Sequence, residues 1–284
     1  GAGTNRMNVY TVGRATQGLA DYLNAKYDHP SVAIGYDSRI KSDLFSKEAA
    51  AVLAGNGIKV YLYEELEPTP CLSFAVRQLA CDAGIMITAS HNPAQYNGMK
   101  LVREEARPIS NDNGLLEIKA LAERNDFAPI VHRGSLIPYD NRPAWIACLL
   151  RFLQHPPTRP LRIVTNAGHG TVGPALDAIA DGLARAGVQI EFIRLHHQPD
   201  GHFPTCPYPN PEIRQAMELG LQYCDRVHPD ILIGTDPDCD RCGTAVPDGK
   251  GGYRLISGNE MGVILLDFIC RSRIANGTMP ENPV

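Results

Sequence analysis

The sequence has no apolar run approaching the ~20 residues that a membrane-spanning helix needs, so no bilayer crossing is expected. It has no strong excess of either charge, because 27 basic and 31 acidic side chains leave a net charge of −4. That balance predicts no bulk attraction to nucleic acid or to an acidic membrane. The eight cysteines are scattered, which indicates reduced thiols and a cytoplasmic location. With 284 residues, 44% hydrophobic and 20% charged, the composition predicts a soluble globular protein of two domains.

Two common catalytic and metal-binding patterns are also missing. Ser90 lacks the Gly-x-Ser-x-Gly elbow of a serine hydrolase. His91 follows it directly, and adjacent side chains on an extended segment point apart, so the two are expected to make a poor dyad. An EF-hand loop starting at Asp236 is excluded, because Arg241 and Pro247 stand where such a loop requires glycine and glutamate.

Cys239 and Cys242 have the C-x-x-C spacing of a metal-binding or redox pair. A zinc site would need two further soft ligands, and the sequence contains no second close pair of cysteines. A redox dithiol is typical of a different sequence context. Zinc binding and redox chemistry are therefore only minor alternatives for this segment.

A short apolar run at residues 84–87 leads into the polar stretch TASHNP at residues 88–93. The run is too short for a helix and indicates a buried strand, and the Asn-Pro pair stops regular structure after it. Ligands collect at strand ends in open α/β sheets. Ser90 is therefore a candidate site residue, although ordinary polar residues at a strand end explain the stretch equally well.

A second strand pattern, at residues 231–234, is followed by Asp236, Asp238 and Asp240. Alternate residues point to one side if the segment is extended. Three carboxylates on one side repel each other unless a cation joins them, and hard oxygen ligands suit Mg²⁺. The sequence therefore predicts a loop that binds a hard cation.

Two basic residues are further candidates. Lys100 lies ten positions after Ser90, so a hairpin-like return would bring its ammonium to the serine; an exposed strand lysine is the alternative. Arg39 ends the first strand beside Asp37 and would bind a phosphate bidentately. A structural pair between Asp37 and Arg39 is the alternative.

Strands alternate with helices along the chain, which predicts βαβ units with right-handed crossovers. Asn8 and Thr69 are predicted helix caps, and Ser257 with Glu260 fits a capping box. Further expected features are an inward-facing Leu44, a helix near residues 144–154, and weak anion-binding character in the glycine-rich turn at residues 166–171.

The chain resembles the alpha-D-phosphohexomutase family, the phosphoglucomutases and phosphomannomutases. Residues 88–93 match the family's phosphoserine loop and residues 236–241 (DPDCDR) resemble its metal loop, although Cys239 stands where the family often has glycine. Three further motifs agree in order, at residues 35–39 (GYDSR), 97–100 (NGMK) and 209–212 (PNPE). The segments 6–8 and 15–19 resemble most the branch that holds bacterial phosphoglucomutases and phosphopentomutases.

The resemblance implies an α/β fold: two consecutive three-layer α/β/α domains with mixed sheets, plus the first helix of a third domain. The expected division is a first domain at residues 1–138 with a truncated start, a second at 139–253, and the beginning of a third at 254–284. Family members have four domains, so the chain is expected to be an N-terminal fragment that is inactive alone.

The implied reaction interconverts hexose 1-phosphate and hexose 6-phosphate, with glucose preferred, through a phosphoserine and a sugar 1,6-bisphosphate that also serves as activator. The partner is a small phosphosugar. Phosphomannomutase, phosphopentomutase and a non-catalytic phosphosugar-binding module remain alternatives. The sequence carries no prediction of the oligomeric state.

The resemblance also assigns roles to the candidate residues. Ser90 would carry the phosphoryl group, and Lys100 would act as general acid and base with its pKa lowered by nearby cations. Arg241 and Arg39 would neutralise phosphate, and His91 would shape the loop or contact phosphate. The expected ligands of Mg²⁺ are Ser90, Asp236, Asp238 and Asp240.

Overall fold

Residues 6–124, 134–153 and 156–282 are described by the computed structural model of this chain. The two ends of the chain, residues 1–5 and 283–284, lie outside the described residues. The expectation of a truncated start and an interrupted third domain rests on these ends. Residue 154, the predicted end of one helix, also lies outside the described residues. No helix in the described ranges is long and apolar enough to cross a membrane.

The first half of the chain builds one mixed sheet with the strand order β4-β3-β1-β2-β5, in which only β4 runs antiparallel to its neighbour. Its elements are α1 (Val9–Lys26), β1 (Ser31–Tyr36), α2 (Ser42–Gly55), β2 (Lys59–Tyr63), α3 (Thr69–Gln78), β3 (Ala83–Ile87), β4 (Met99–Arg103), α4 (Leu115–Arg124) and β5 (Leu136–Tyr139). The sequence did not predict α4 or β5.

The second half builds another mixed sheet with the order β10-β9-β8-β6-β7. The strands β6, β7 and β8 are parallel, and β9 and β10 continue the sheet antiparallel. Its elements are α5 (Arg142–Leu150), β6 (Leu161–Asn166), α6 (Val172–Arg185), β7 (Ile190–Leu195), α7 (Arg214–Val227), β8 (Ile231–Thr235), β9 (Cys242–Pro247), β10 (Tyr253–Ile256) and α8 (Gly258–Ala275). The predicted fold class, two consecutive α/β/α units with mixed sheets, is confirmed.

The central strand β1 shows why the first sheet has helices on both faces. Val32 and Ile34 point to one face, where they join a core with α1, α2 and α4. Ala33 points to the other face, where it joins a core with α3 and α5. A parallel strand buried on both faces is typical of three-layer α/β folds. The layers fix where the strand ends lie, and the candidate site residues follow those ends.

Two predicted helix starts are confirmed. The Asn8 side chain accepts a hydrogen bond from Thr11 N at 2.9 Å, and Ser257 and Glu260 form the predicted capping box of α8. Two other predictions are wrong. Leu44 is 44% exposed, because the buried stripe of α2 runs through Phe45, Ala49 and Leu53 instead. The helix expected to reach residue 154 ends at Leu150.

The predicted domain limits fall inside two strands, since β5 crosses position 138 and β10 crosses position 253. Trp145 and Ile146 of α5 and Ala175 of α6 belong to the same apolar cluster as Leu72 of α3. Apolar packing is therefore continuous between the two halves of the chain. The helix α8 has no buried residue. The division into domains stays a prediction.

Candidate active site

The serine loop is held in a backbone conformation that side chains disfavour. Ser90 has φ +54°, in the left-handed region, where a residue with a Cβ atom is uncommon. Its N–H donates to Thr88 Oγ1 at 2.8 Å, and Asn92 N–H donates to Ala89 O at 3.1 Å across the turn. Such a conformation persists only where the surroundings determine it, and it is frequent at functional sites.

Arg39 supplies most of that restraint. Its side chain is fully buried and lies 3.2 Å from Asp37 Oδ2. Its terminal nitrogens donate to four carbonyl oxygens of the loop, at 2.5 to 3.0 Å: those of Ser90, Asn92, Pro93 and Tyr96. The guanidinium is thus occupied inside the protein. The prediction that Arg39 binds phosphate is corrected to the structural alternative, a residue that fixes the serine loop.

Asp37 connects this arginine to the loop by a second route. It accepts hydrogen bonds from Thr88 Oγ1 at 2.7 Å, Ser42 Oγ at 3.0 Å and Arg39 N at 3.0 Å. Burial raises the pKa of Asp37 to about 6, although the neighbouring guanidinium opposes that shift. A continuous network therefore runs from the end of β1 through Asp37 and Thr88 to Ser90.

The acidic loop after β8 brings its three carboxylates together. One oxygen each of Asp236, Asp238 and Asp240 lies within 4.8 Å of the others. Asp236 and Asp238 are 0% exposed. Asp236 Oδ1 accepts the N–H groups of Asp240 at 3.1 Å and Arg241 at 3.0 Å, which folds the loop around it.

This set of donors fits a hard divalent cation. Asp238 Oδ1 is buried and has no hydrogen-bond partner, and an unpartnered buried carboxylate oxygen is costly. Burial, and the charges of Asp238 and Asp240, raise the pKa of Asp236. Both features are relieved by a cation bound among the three carboxylates, and carboxylate oxygens are the ligands that Mg²⁺ prefers.

The serine and acidic loops meet between the two halves of the chain. Ser90 Oγ donates to Asp236 Oδ2 at 2.9 Å. His91 Nδ1 lies 3.3 Å from the same serine oxygen. The expectation that these adjacent side chains point apart is wrong, because the left-handed conformation of Ser90 removes the extended geometry on which it rested. Burial and the nearby Arg241 lower the pKa of His91.

Lys100 also reaches this meeting point. It lies on β4, paired antiparallel with β3 opposite Met86, so the predicted return of the chain is confirmed. Its Nζ is 2.6 Å from both Asp238 Oδ2 and Asp240 Oδ2. Burial lowers the pKa of Lys100, but the two aspartates outweigh that effect and raise it. The expected lowering depended on nearby cations, whereas the nearest charged groups in this arrangement are the two aspartates.

Arg241, the last residue of the acidic loop, is partly exposed beside the site. Its Nη1 donates to Glu212 Oε2 at 2.8 Å. Glu212 belongs to the segment at residues 209–212, which the sequence marked as a motif without a function. That segment therefore orients the arginine next to the acidic loop.

The glycine-rich turn before α6 supports the acidic loop rather than exposing backbone amides. A Cβ atom at Gly170 would lie 2.4 Å from Pro237 Cα, so only glycine allows this approach. Thr171 donates to Pro237 O through both its N–H, at 2.8 Å, and its hydroxyl, at 3.0 Å. The weak anion-binding character suggested for this turn is replaced by a packing role.

Cys239 has φ +56°, the conformation that glycine adopts most easily. The acidic loop thus keeps a glycine-like backbone at the position where the resemblance leads one to expect glycine. Burial raises the pKa of both Cys239 and Cys242, which disfavours the thiolate that zinc binding and redox chemistry need. Within the described ranges, the aspartates are the one cluster of three or more ligand-type side chains at metal-binding spacing.

Two residues at the site were missed from the sequence. Thr69 was predicted to cap α3, but Pro68 is the N-cap and the Thr69 hydroxyl instead donates to Asp238 Oδ2 at 2.7 Å. Phe203 is 1% exposed, and the Arg39 guanidinium lies 5.1 Å from its ring centroid. A Thr-Pro pair predicts a helix cap, and a single phenylalanine belongs to no motif. The contacts of Thr69 with Asp238 and of Phe203 with Arg39 could therefore not be predicted from the sequence.

Two family models match the chain. The model for "Phosphoglucomutase/phosphomannomutase, alpha/beta/alpha domain I" matches residues 1–129, and the model for domain II of the same family matches residues 145–250. A curated phosphoglucomutase from Staphylococcus saprophyticus is 36% identical over 276 residues, which are 94% of this chain and 50% of that protein. A Staphylococcus aureus phosphoglucomutase is 34% identical at the same coverage. The chain spans about half the length of these curated relatives.

Two solved structures have the same fold. A Thermus thermophilus protein assigned as a phosphomannomutase has a TM-score of 0.74 and 27% identity, covering 87% of this chain and 55% of that one. A phosphoglucomutase/phosphomannomutase family protein from Burkholderia thailandensis has a TM-score of 0.71 and 24% identity, covering 87% of this chain and 51% of that one. The second likeness supports the fold alone.

Proposed function

Because the chain belongs to the phosphoglucomutase/phosphomannomutase family, we propose that it is the N-terminal half of a phosphosugar mutase. The enzyme interconverts hexose 1-phosphate and hexose 6-phosphate, glucose being the preferred sugar. The observation that carries the proposal is the contact between Ser90 Oγ and Asp236 Oδ2 at 2.9 Å. It puts a candidate nucleophile against a candidate cation site, and Lys100 contacts two of the aspartates of that site.

Phosphoryl transfer needs little covalent help from the protein beyond positioning and neutralisation of charge. Phosphorylated Ser90 gives its phosphoryl group to a sugar hydroxyl: the new bond joins that oxygen to phosphorus, and the bond between phosphorus and Ser90 Oγ breaks. The sugar 1,6-bisphosphate then turns around, and Ser90 takes back the phosphoryl group from the other end. The same bisphosphate acts as the activator that first loads the serine.

Lys100 is the proposed acid and base. As the phosphoryl group leaves Ser90, a proton must pass from the sugar hydroxyl and another must reach the serine oxygen. The ammonium of Lys100 is held against Asp238 and Asp240 on the acidic side of the site. From there it gives a proton to Ser90 Oγ as the bond to phosphorus breaks and, once neutral, takes the proton that the sugar hydroxyl loses; in the reverse transfer the proton moves the opposite way.

Mg²⁺ is the proposed metal, held by Asp236, Asp238, Asp240 and an oxygen on Ser90. When bound, it stabilises the negative charge on the oxygens of the transferring group. The protein residues around it have separate tasks. Arg241 neutralises phosphate, His91 contacts the serine oxygen and its phosphate, and Arg39 keeps the Ser90 backbone in its left-handed conformation.

A non-catalytic phosphosugar-binding module is the second candidate, and mannose and pentose phosphates are rival substrates. The combination of Ser90, Lys100 and three aspartates favours the enzyme, since binding alone requires neither a nucleophile nor a base. Sugar selection and recognition of the distal phosphate are assigned to the part of the protein beyond this chain. The enzyme is proposed to be cytoplasmic, with small phosphosugars rather than nucleic acid or membranes as partners.

A coupled assay tests the proposal. The full-length protein is supplied with glucose 1-phosphate, a trace of glucose 1,6-bisphosphate and Mg²⁺, and glucose 6-phosphate is followed; mannose 1-phosphate and a pentose 1-phosphate are compared. We expect turnover with glucose 1-phosphate and none from the 284-residue chain alone. Binding of phosphosugars by the full-length protein without turnover of any of them would support the binding module instead.

A further inference from the structure

Asp238 is held differently from Asp236 of the same loop. Asp236 receives two backbone N–H groups from its own loop. The hydrogen bonds of Asp238 come from the other half of the chain, where Lys100 Nζ and Thr69 Oγ1 reach the same oxygen, Oδ2, at 2.6 Å and 2.7 Å. The orientation of this buried carboxylate therefore depends on residues some 140 to 170 positions earlier in the sequence.

Thr69 makes a two-point contact with Asp238. Its N–H donates to Asp238 O at 2.8 Å, and its hydroxyl donates to Asp238 Oδ2 at 2.7 Å. The backbone bond fixes the main chain of the acidic loop against the start of α3, and the hydroxyl bond fixes the side chain. A carboxylate restrained at both ends has little rotational freedom left.

The start of α3 suits this role. Thr69 is the first residue of the helix, so its N–H has no partner within the helix. Pro68 is the N-cap and provides no side-chain cap, and Pro70 has no N–H to satisfy. The Thr69 hydroxyl is consequently not used by its own helix and is available to Asp238. The positive end of the helix dipole also favours a carboxylate at this place.

The two bonds to Oδ2 leave Asp238 Oδ1 buried without a partner. A hydroxyl that donates a hydrogen bond to one carboxylate oxygen leaves the other oxygen free to bind a cation. Hydrogen bonds of this kind, made by residues that do not touch the metal, orient metal ligands. We propose that Thr69 is a positioning residue for the metal loop: its hydroxyl locks Asp238 so that Oδ1 is presented to Mg²⁺. This inference rests on the proposed metal site.

Substitutions at Thr69 separate the hydroxyl from the backbone contact. Thr69→Val and Thr69→Ala remove the hydroxyl and keep the N–H, and Thr69→Ser keeps both. Thr244→Val is the matched control, because the buried Thr244 hydroxyl has no hydrogen-bond partner. Mg²⁺ affinity is measured by titration calorimetry on the full-length protein, with the phosphorylation state of each preparation checked by mass spectrometry and melting temperatures taken in EDTA.

We expect Thr69→Val and Thr69→Ala to weaken Mg²⁺ binding about 10-fold, in the range found for outer-shell partners of metal ligands. Thr69→Ser and Thr244→Val should bind within about twofold of wild type. In an Asp238→Asn background, Thr69→Val should have no further effect, because the carboxylate that it orients is gone. If the valine variant does not fold, the alanine variant carries the same comparison.

Two results would overturn the inference while leaving the proposed function standing. One is wild-type Mg²⁺ affinity in both hydroxyl-free variants while Asp238→Asn loses it. The other is a lower melting temperature with unchanged affinity, which would make Thr69 a purely structural contact. If the wild-type protein binds no Mg²⁺ at millimolar concentration, the metal loop itself is wrong, and the proposed function fails with the inference.

Discussion

Ser90 Oγ lies 2.9 Å from Asp236 Oδ2, although the two residues are 146 positions apart in the chain. The serine follows β3 of the first sheet, and the aspartate follows β8 of the second. The contact therefore exists only because the two α/β units place these strand ends against each other. The chemistry proposed for the protein depends on that placement.

Replacement of the serine tests the nucleophile. Ser90→Ala should abolish mutase activity of the full-length enzyme while changing its stability little, because a partly buried turn serine contributes little packing. The coupled assay and a urea titration measure the two effects. Ser73→Ala, in a half-buried position on α3, is the matched control and should keep full activity. Activity of the Ser90→Ala variant at a tenth of wild type would remove Ser90 from this role.

Replacement of a buried aspartate tests the metal site. Asp238→Asn should weaken Mg²⁺ binding strongly and lower turnover by roughly two to three orders of magnitude, because a neutral amide cannot balance the cation. Calorimetry and the coupled assay measure the change. Asp267→Asn, at an exposed position on α8 beside Arg271, makes the same chemical change away from the site and should have no effect. Normal Mg²⁺ binding by a folded Asp238→Asn protein contradicts the assignment of this loop.

Replacement of Arg39 tests whether this arginine holds the serine loop or binds phosphate. Arg39→Lys should lower the free energy of unfolding by about 3 kcal/mol, since a point charge cannot replace a planar group that serves several acceptors at once. Urea unfolding measures the loss, and Arg271→Lys on the exposed face of α8 is the control. A loss below about 1 kcal/mol together with weaker phosphosugar binding would return Arg39 to the phosphate-binding role.

His196, which lies outside the candidate active site, is expected to make the stability of the protein depend on pH. Burial, and the neighbouring His169, lower the pKa of His196 from 6.5 to about 4. The unfolded chain therefore binds a proton between pH 6.5 and 4 that the folded protein does not, so the stabilisation present above pH 6.5 is lost as the pH falls. Because the ring is only about half buried, the expected loss between pH 7 and 5 is on the order of 1 kcal/mol.

The matched variant for this prediction is His196→Asn, because asparagine tolerates the left-handed backbone at this position, where φ is +48°. Urea unfolding at pH 7 and pH 5 should show a smaller pH effect in this variant than in wild type. His202→Asn, at an exposed position, should keep the wild-type difference. An unchanged pH effect in the His196→Asn protein would show that another group titrates.

The sequence predicted the features that arise from local patterns and missed those set by distant partners. Apolar runs located β3 and β8, and the polar residues after them located Ser90 and the three aspartates, because strand ends follow from chain-local periodicity. The partners of Lys100 lie 138 and 140 positions away, so its raised pKa could not be read from the sequence. Thr69 gave a strong cap signal, but its hydroxyl formed a bond with the other half of the chain.

Backbone conformation was the other source of error. The expectation that His91 points away from Ser90 assumed an extended segment, and no local signal marks a serine with positive φ. The hydrogen bonds by which Arg39 holds this conformation join residues that are 51 to 57 positions apart. The strand β5 was not predicted because it has only four residues and lies in a passage rich in proline and arginine that shows no strand pattern.

The transfer of phosphate to Ser90 is the most direct test of the proposed mechanism. The dephosphorylated full-length protein is incubated with glucose 1,6-bisphosphate and Mg²⁺, and the modified residue is mapped by mass spectrometry, with Ser90→Ala and Ser73→Ala run in parallel. The phosphoserine mechanism predicts one phosphate on Ser90 in the wild-type and Ser73→Ala proteins and none in Ser90→Ala. Mutase turnover without phosphate at Ser90, or phosphate on a different residue that turns over with substrate, would contradict it.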